Sequence, residues 1–144
     1  MDELTLYERV GGMAFFERLV DHFYDGVAAD EVLVRLYPER PDLSGARHRL
    51  SLFLAQYWGG PHTYLDERGH PRLRMRHMPF AIGPLERDRW LVHMTAAVEA
   101  MTGDLEDGDE IARTLLEYFV PTAEHLRNDT GLPITSAGFP QGRS

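Results

Sequence analysis

The residues best equipped for chemistry lie in one short run, Arg74-Met75-Arg76-His77-Met78-Pro79-Phe80, where an imidazole stands among apolar side chains and guanidinium groups. This is what a haem requires: the iron takes a neutral imidazole nitrogen, the ring edges take apolar cover, and the propionates take Arg. On this run alone, a loop histidine that caps a carbonyl is the commoner outcome, and both readings stand. His62 and His70 lie close enough in sequence to suggest zinc, but the chain has no HExxH and no cysteine, so zinc has little support. His22, His48, His93 and His125 fall on helical stretches off the apolar stripe and are expected at the surface.

A second group consists of polar-tipped aromatics on faces that should be buried. Tyr24 shares its stripe with Phe16 and Val20, Trp90 heads the apolar face of a later helix, and Tyr37 ends a short turn just before Pro38. A buried phenol or indole N–H needs a hydrogen-bond partner. For any one of them a backbone carbonyl would serve. Three together in an apolar core have few such acceptors, and a ligand held in that core is one.

Composition narrows the classes. The chain has 144 residues, one domain's worth, with 43% hydrophobic and 26% charged residues. It has no cysteine, which excludes disulfides, thiolate metal sites and cysteine nucleophiles. With 23 acidic against 15 basic residues the formal charge is −8, which disfavours nucleic acid and anionic membrane as partners. Against that background Arg68, Arg72, Arg74 and Arg76 form a local basic cluster, suited to one bound anionic group. No apolar run approaches the ~18 residues of a membrane span. The opening MDELTLYERV lacks the apolar segment of a secretory leader, so a soluble cytoplasmic protein is expected.

The elements that must position these residues read as helices. Phe15, Phe16, Leu19, Val20, Phe23, Tyr24 and Val27 recur at helical spacing between Met13 and Ala29. Asp30 then fits as the N-cap of a short turn through Val32, Leu33 and Leu36 that Pro38 ends. A second long helix places Leu43, Ala46, Leu50, Phe53, Leu54 and Tyr57 on one side and stops at Gly59-Gly60-Pro61. From Pro61 to Pro84 the breakers allow at most one turn, near Arg74 to Met78. A third helix starts after Pro84 with Trp90, Met94, Ala97, Val98 and Met101 on one face. A fourth, from about Asp107 to Asn128, carries Ile111, Leu115, Tyr118, Phe119, Ala123 and Leu126, and Pro121 should kink it. The expected organisation is one all-α domain over 1–128 and a disordered Gly/Pro/Ser-rich tail over 129–144.

In this order the segments resemble the truncated haemoglobins, and among them group II. The matching pieces are Val10-Gly11-Gly12, Phe23-Tyr24, Leu36-Tyr37-Pro38, Gln56-Tyr57-Trp58-Gly59-Gly60-Pro61, Gly69-His70-Pro71-Arg72-Leu73-Arg74-Met75-Arg76-His77 and Glu86-Arg87-Asp88-Arg89-Trp90-Leu91. They run in family order across roughly residues 5–128.

The resemblance implies a two-over-two helical sandwich enclosing haem b, with a loop-like proximal segment. The glycine pairs at 11–12 and 59–60 would make its sharp turns. It implies His77 as the iron ligand and Tyr24, Tyr37 and Trp90 as distal hydrogen-bonding residues. Ala46 falls where many globins carry a distal histidine, with Leu50 one turn on. Phe53, Met75, Phe80, Ile82 and Met94 would line the haem faces, and Arg49, Tyr64, Arg74 and Arg76 are candidates for the propionates. The implied function is reversible binding of dioxygen and other diatomic gases, tight and slow to release. The alternative is redox enzymology on the same haem, either nitric oxide dioxygenation or peroxidase-like turnover. No flavin or nicotinamide motif is present, so that chemistry would need a separate reductase. Self-association is a further expected partnership, and a haem-free sensor domain is the contrasting class.

Overall fold

The computed structural model describes residues 4–72, 76–77 and 82–126, and every regular element among them is helical. The elements are α1 (Leu6–Arg9), α2 (Met13–Ala28), α3 (Glu31–Val34), α4 (Ser44–Tyr57), α5 (Thr63–Arg68), α6 (Pro84–Thr102) and α7 (Gly108–His125), with a helical turn at 76–77. The expected tail over 129–144 and the last residues before it lie outside the described residues.

The apolar stripe of α2 organises the core. Phe15, Phe16, Leu19, Val20, Phe23, Tyr24 and Val27 are all buried, the same seven residues that the spacing picks out. This face meets α4 on one side and α6 on the other, while α6 also pairs with α7. Two helix pairs, α2 with α4 and α6 with α7, therefore lie one over the other: a two-over-two sandwich. Met94, Ala97 and Val98 of α6 and Ile111, Leu115, Phe119 and Ala123 of α7 close the core from the second layer. The described part of α7 runs through Pro121 to His125, a little short of the expected Asn128.

Two short helices escape the periodicity reading. α1 is held by a reciprocal capping box: Thr5 Oγ1 accepts from Glu8 N at 3.1 Å, and Glu8 Oε1 accepts from Thr5 N at 3.0 Å. α5 occupies the interval between Pro61 and Gly69, where the breakers bracket one short helix rather than forbid it. Tyr57 is a further correction. Expected on the buried side of α4, it is 52% exposed and packs its ring against Tyr118 at a centroid distance of 4.3 Å.

The turn after α4 depends on its glycines. Gly59 has φ +104°, and a Cβ there would stand 2.6 Å from Thr5 Cβ; one at Gly60 would stand 2.7 Å from the Tyr7 ring. This close approach lets Tyr7 N donate to Trp58 O at 3.0 Å, which ties α1 to the end of α4. No helix among the described residues is long and apolar enough to cross a membrane.

Candidate functional site

Phe23 is the hub of the site. The ring of Tyr24, next along α2, meets it edge-on at 4.9 Å, and Trp90 of α6 does the same at 5.1 Å. Tyr37, just beyond α3, packs edge-on against Tyr24 at 5.6 Å. Phe119 of α7 backs Trp90 at 5.7 Å. The structure thus brings the three polar-tipped aromatics together from three different segments. Asp30 caps α3 as expected, its Oδ1 accepting from Val32 N at 3.0 Å, and Tyr37 N then donates to Val34 O at 3.0 Å.

Their hydrogen-bonding capacity is mostly uncommitted. The Tyr37 and Tyr24 hydroxyl oxygens stand 3.5 Å apart, the long limit for a hydrogen bond, and either can donate to the other. The pair shares one bond, so one of its two phenol protons, like the indole N–H of Trp90, has no acceptor among the described residues. No fully buried side-chain nitrogen or oxygen lacks a partner there, so the indole N–H faces accessible space rather than packed core. Burial pushes the Tyr24 phenol well above its usual range, with a further push from Tyr37. Burial also raises Tyr37, against the opposing pull of its bond with Tyr24 and of Arg49. Both phenols are therefore protonated donors at ordinary pH.

The remaining predicted residues divide. Ala46 and Phe53 of α4 and Met94 of α6 are buried, and Leu50 and Ile82 are half-buried. Tyr64 is buried on α5 with its ring 5.5 Å from Phe53. Arg49 reaches Glu39 at 3.7 Å. His77 is half-buried in its helical turn. Arg76 turns back on its own loop: Nε donates to Pro71 O at 2.6 Å, and one terminal nitrogen donates to Arg68 O at 2.8 Å and His70 O at 3.3 Å. Arg74, Met75 and Phe80 lie outside the described residues. His62 and His70 are exposed, and no group of three metal-ligating side chains occurs among the described residues.

This chemistry fits a haem with a polar diatomic ligand. Two protonated phenols and an indole N–H are donors for a partially negative group, and the same apolar core holds Ala46, Phe53 and Met94, side chains chemically suited to a porphyrin face. A surface cavity of about 670 Å³ opens elsewhere, between the end of α6 and the start of α7, lined in part by Glu99, Glu106, Asp107, Asp109 and Glu110. It shares no residue with this cluster.

One cluster beside the site was not anticipated. His93, expected at the surface, is half-buried with Nε2 2.7 Å from Asp30 Oδ2, which also accepts from Arg89 Nε at 2.9 Å. The ring fits because residue 26 is glycine: a Cβ there would stand 2.4 Å from His93 Nδ1. Burial pushes the Asp30 carboxyl upward, but His93, Arg89 and the Val32 N–H outweigh it and hold it below the usual carboxylate range.

The family model for bacterial-like globins matches residues 5–125. Group 2 truncated hemoglobin YjbI of Bacillus subtilis is 39% identical over 124 residues, 86% of this chain and 89% of that protein. Among solved structures, a thermostable hemoglobin from the actinobacterium Thermobifida fusca is 53% identical, with a TM-score of 0.79 over 87% of this chain and 98% of that one. A truncated oxygen-avid haemoglobin from Bacillus subtilis is 36% identical, with a TM-score of 0.76 over 87% of this chain and 100% of that one.

Proposed function

The chain belongs to the bacterial-like globins, as a truncated haemoglobin of the group II kind, and from that premise we propose that it binds dioxygen tightly on a haem b ligated by His77. Membership implies haem-based gas binding. Tight binding, slow release and the residues responsible are our reading. Haem, when bound, supplies an iron that takes diatomic gases reversibly.

The observation that carries the reading is the run of ring contacts from Tyr37 through Tyr24 and Phe23 to Trp90, with one phenol proton and the indole N–H uncommitted to the described residues. A diatomic ligand with partial negative charge would accept from the Trp90 N–H and from the free hydroxyl proton of the Tyr24–Tyr37 pair, whose other proton bridges the two phenol oxygens. Burial keeps both phenols protonated. A hydrogen bond to a charged group contributes ~1.5–3 kcal/mol, about ten- to a hundredfold in dissociation rate. Two such bonds make a slow-release binder. The oxygen-avid relative in Bacillus subtilis agrees with this direction.

His77 would hold the iron, and Arg76 beside it bonds to the main-chain carbonyls of Arg68, His70 and Pro71. Arg49, Tyr64 and Arg74 are the further candidates for the propionates. Purified protein is expected to show a Soret band that His77→Ala abolishes, and stopped-flow oxygen release is expected to be slow and to speed up about tenfold or more in Trp90→Phe. Fast release that is unchanged by Trp90→Phe would refute the reading.

A further inference from the structure

We propose that Asp30 is a positioning residue for the gas-binding donors, fixing the Trp90 indole relative to Tyr24 and Tyr37 through Arg89 and His93. The inference rests on the reading of Trp90 and the tyrosines as those donors.

An N-cap needs only one side-chain oxygen. Asp30 is only 4% exposed, and its second oxygen bridges to a different helix. Since a carboxylate only accepts, Nε2 of His93 must carry the proton in that 2.7 Å contact. Arg89 and His93 lie one turn apart on α6, and Trp90 stands within that turn, next to Arg89 and three residues before His93. Asp30 therefore grips the very turn that presents the indole.

From the same residue α3 begins. Its hydrogen bonds run on through Leu36 N to Leu33 O at 2.9 Å and Tyr37 N to Val34 O at 3.0 Å, so a continuous run of hydrogen bonds links Tyr37 to the cap. Arg35 at the end of α3 pairs with Glu86 in the first turn of α6 at 3.3 Å, a second tie between the same two helices. Gly26 of α2, which also carries Tyr24, lies against the His93 ring and leaves it no slack. The carboxylate thus joins the segments that bear Tyr37 and Trp90, and its partner His93 packs against the helix that bears Tyr24.

Asp30→Asn separates the cap from the bridge. The amide oxygen still accepts from Val32 N, but the amide nitrogen now faces two donors. In the haem-loaded full chain we expect oxygen release to be roughly three- to tenfold faster, as for one hydrogen bond weakened by a small displacement. The stretching frequency of bound carbon monoxide and the indole ¹H–¹⁵N resonance of Trp90 should shift as well, with helix content unchanged. Asp30→Asn combined with His93→Gln lets a Gln carbonyl accept from the Asn amide, and should move both signals back toward wild type. Should Asp30→Asn not fold, Arg89→Gln on the half-exposed side of the cluster is expected to shift the same signals in the same direction.

Trp90→Phe separates the two possible failures. If it moves the carbon monoxide band while Asp30→Asn or Arg89→Gln leaves band and indole resonance unmoved, Asp30 positions nothing and the inference is overturned. If Trp90→Phe leaves both band and release rate unmoved, the donor reading falls and the inference falls with it.

Discussion

Gly26→Ala sets two effects of opposite sign against each other. Position 26 lies inside α2, where Ala in place of Gly should stabilise the helix by about 1 kcal/mol. The new Cβ would stand 2.4 Å from His93 Nδ1 and 3.1 Å from Cγ and Cε1. Ordinary contact requires the ring to move by about 1 Å. That ring is not a free end, because its other nitrogen is held 2.7 Å from the buried Asp30 carboxylate. Overpacking of this kind costs about 1–3 kcal/mol, and losing a charge-assisted hydrogen bond costs about 1.5–3 kcal/mol. The clash wins, and Gly26→Ala is expected to destabilise by about 2–4 kcal/mol, seen as a urea midpoint lowered by about 1–2 M. Gly26→Ala with His93→Ala should lose less than the two single losses together, with a coupling of at least about 1 kcal/mol, since the second change removes the obstacle. A Gly26→Ala protein more stable than wild type would show that the ring yields freely, and would refute the account of a closely fitted cluster.

Three further outcomes follow from the same packing. Tyr24 and Tyr37 have phenols raised above their unfolded values, so the stability they contribute is complete below about pH 10 and is lost as pH rises toward their folded values. Alkaline unfolding monitored by circular dichroism should therefore have a shallower pH slope in Tyr24→Phe. Asp30 behaves in the opposite sense: its carboxyl is depressed, so its contribution is present above about pH 4 and lost as pH falls through the lower folded value. Asp30→Asn should flatten the acid limb of a pH–stability curve, and an unchanged limb would mean that the carboxylate is not held by its partners. Gly59→Ala combines a φ of +104° with a Cβ 2.6 Å from Thr5 Cβ, and should lower stability by about 2 kcal/mol or more in thermal unfolding.

Much of this arrangement was legible in the sequence wherever one helix face carries it. The α2 stripe is strictly periodic and entirely apolar except for one phenol, so all seven of its residues could be read directly. Asp30 was legible as a cap because a cap is local. Its second oxygen was not, since Arg89 and His93 lie 59 and 63 residues away. His93 was misread for a related reason: it is polar and off the stripe, and what admits it is the missing side chain at Gly26, which hydropathy does not register. Tyr57 erred the other way, because a spacing rule counts its ring as apolar while the fold leaves it at the edge against Tyr118. α1 is too short for any periodicity, although Thr5 and Glu8 carry a capping-box signature that could have marked it. Tyr24, Tyr37 and Trp90 were singled out by residue type, but the run of ring contacts that joins them through Phe23 depends on how α2, α3 and α6 cross.

Arg76 presents a case in which one side chain can serve two ends. A guanidinium has five N–H donors, and three hydrogen bonds here go to main-chain carbonyls of Arg68, His70 and Pro71. These use Nε and one terminal nitrogen, so the other terminal nitrogen keeps its donors for an anion such as a propionate. Arg76 thereby ties the residue before His77 to the main chain of residues 68–71, whatever it contributes as a charge. Arg76→Lys tests which role dominates, because an ammonium keeps the charge but cannot reproduce the planar fork. If the clasp matters, the Lys variant should release haem to an apo-globin acceptor about tenfold faster than wild type, for roughly 1.4 kcal/mol of lost loop order. Arg76→Gln should be no better, since it loses both charge and fork. If the Lys variant retains haem as wild type does while the Gln variant loses it, charge alone is at work, and the loop before His77 does not depend on its carbonyl bonds.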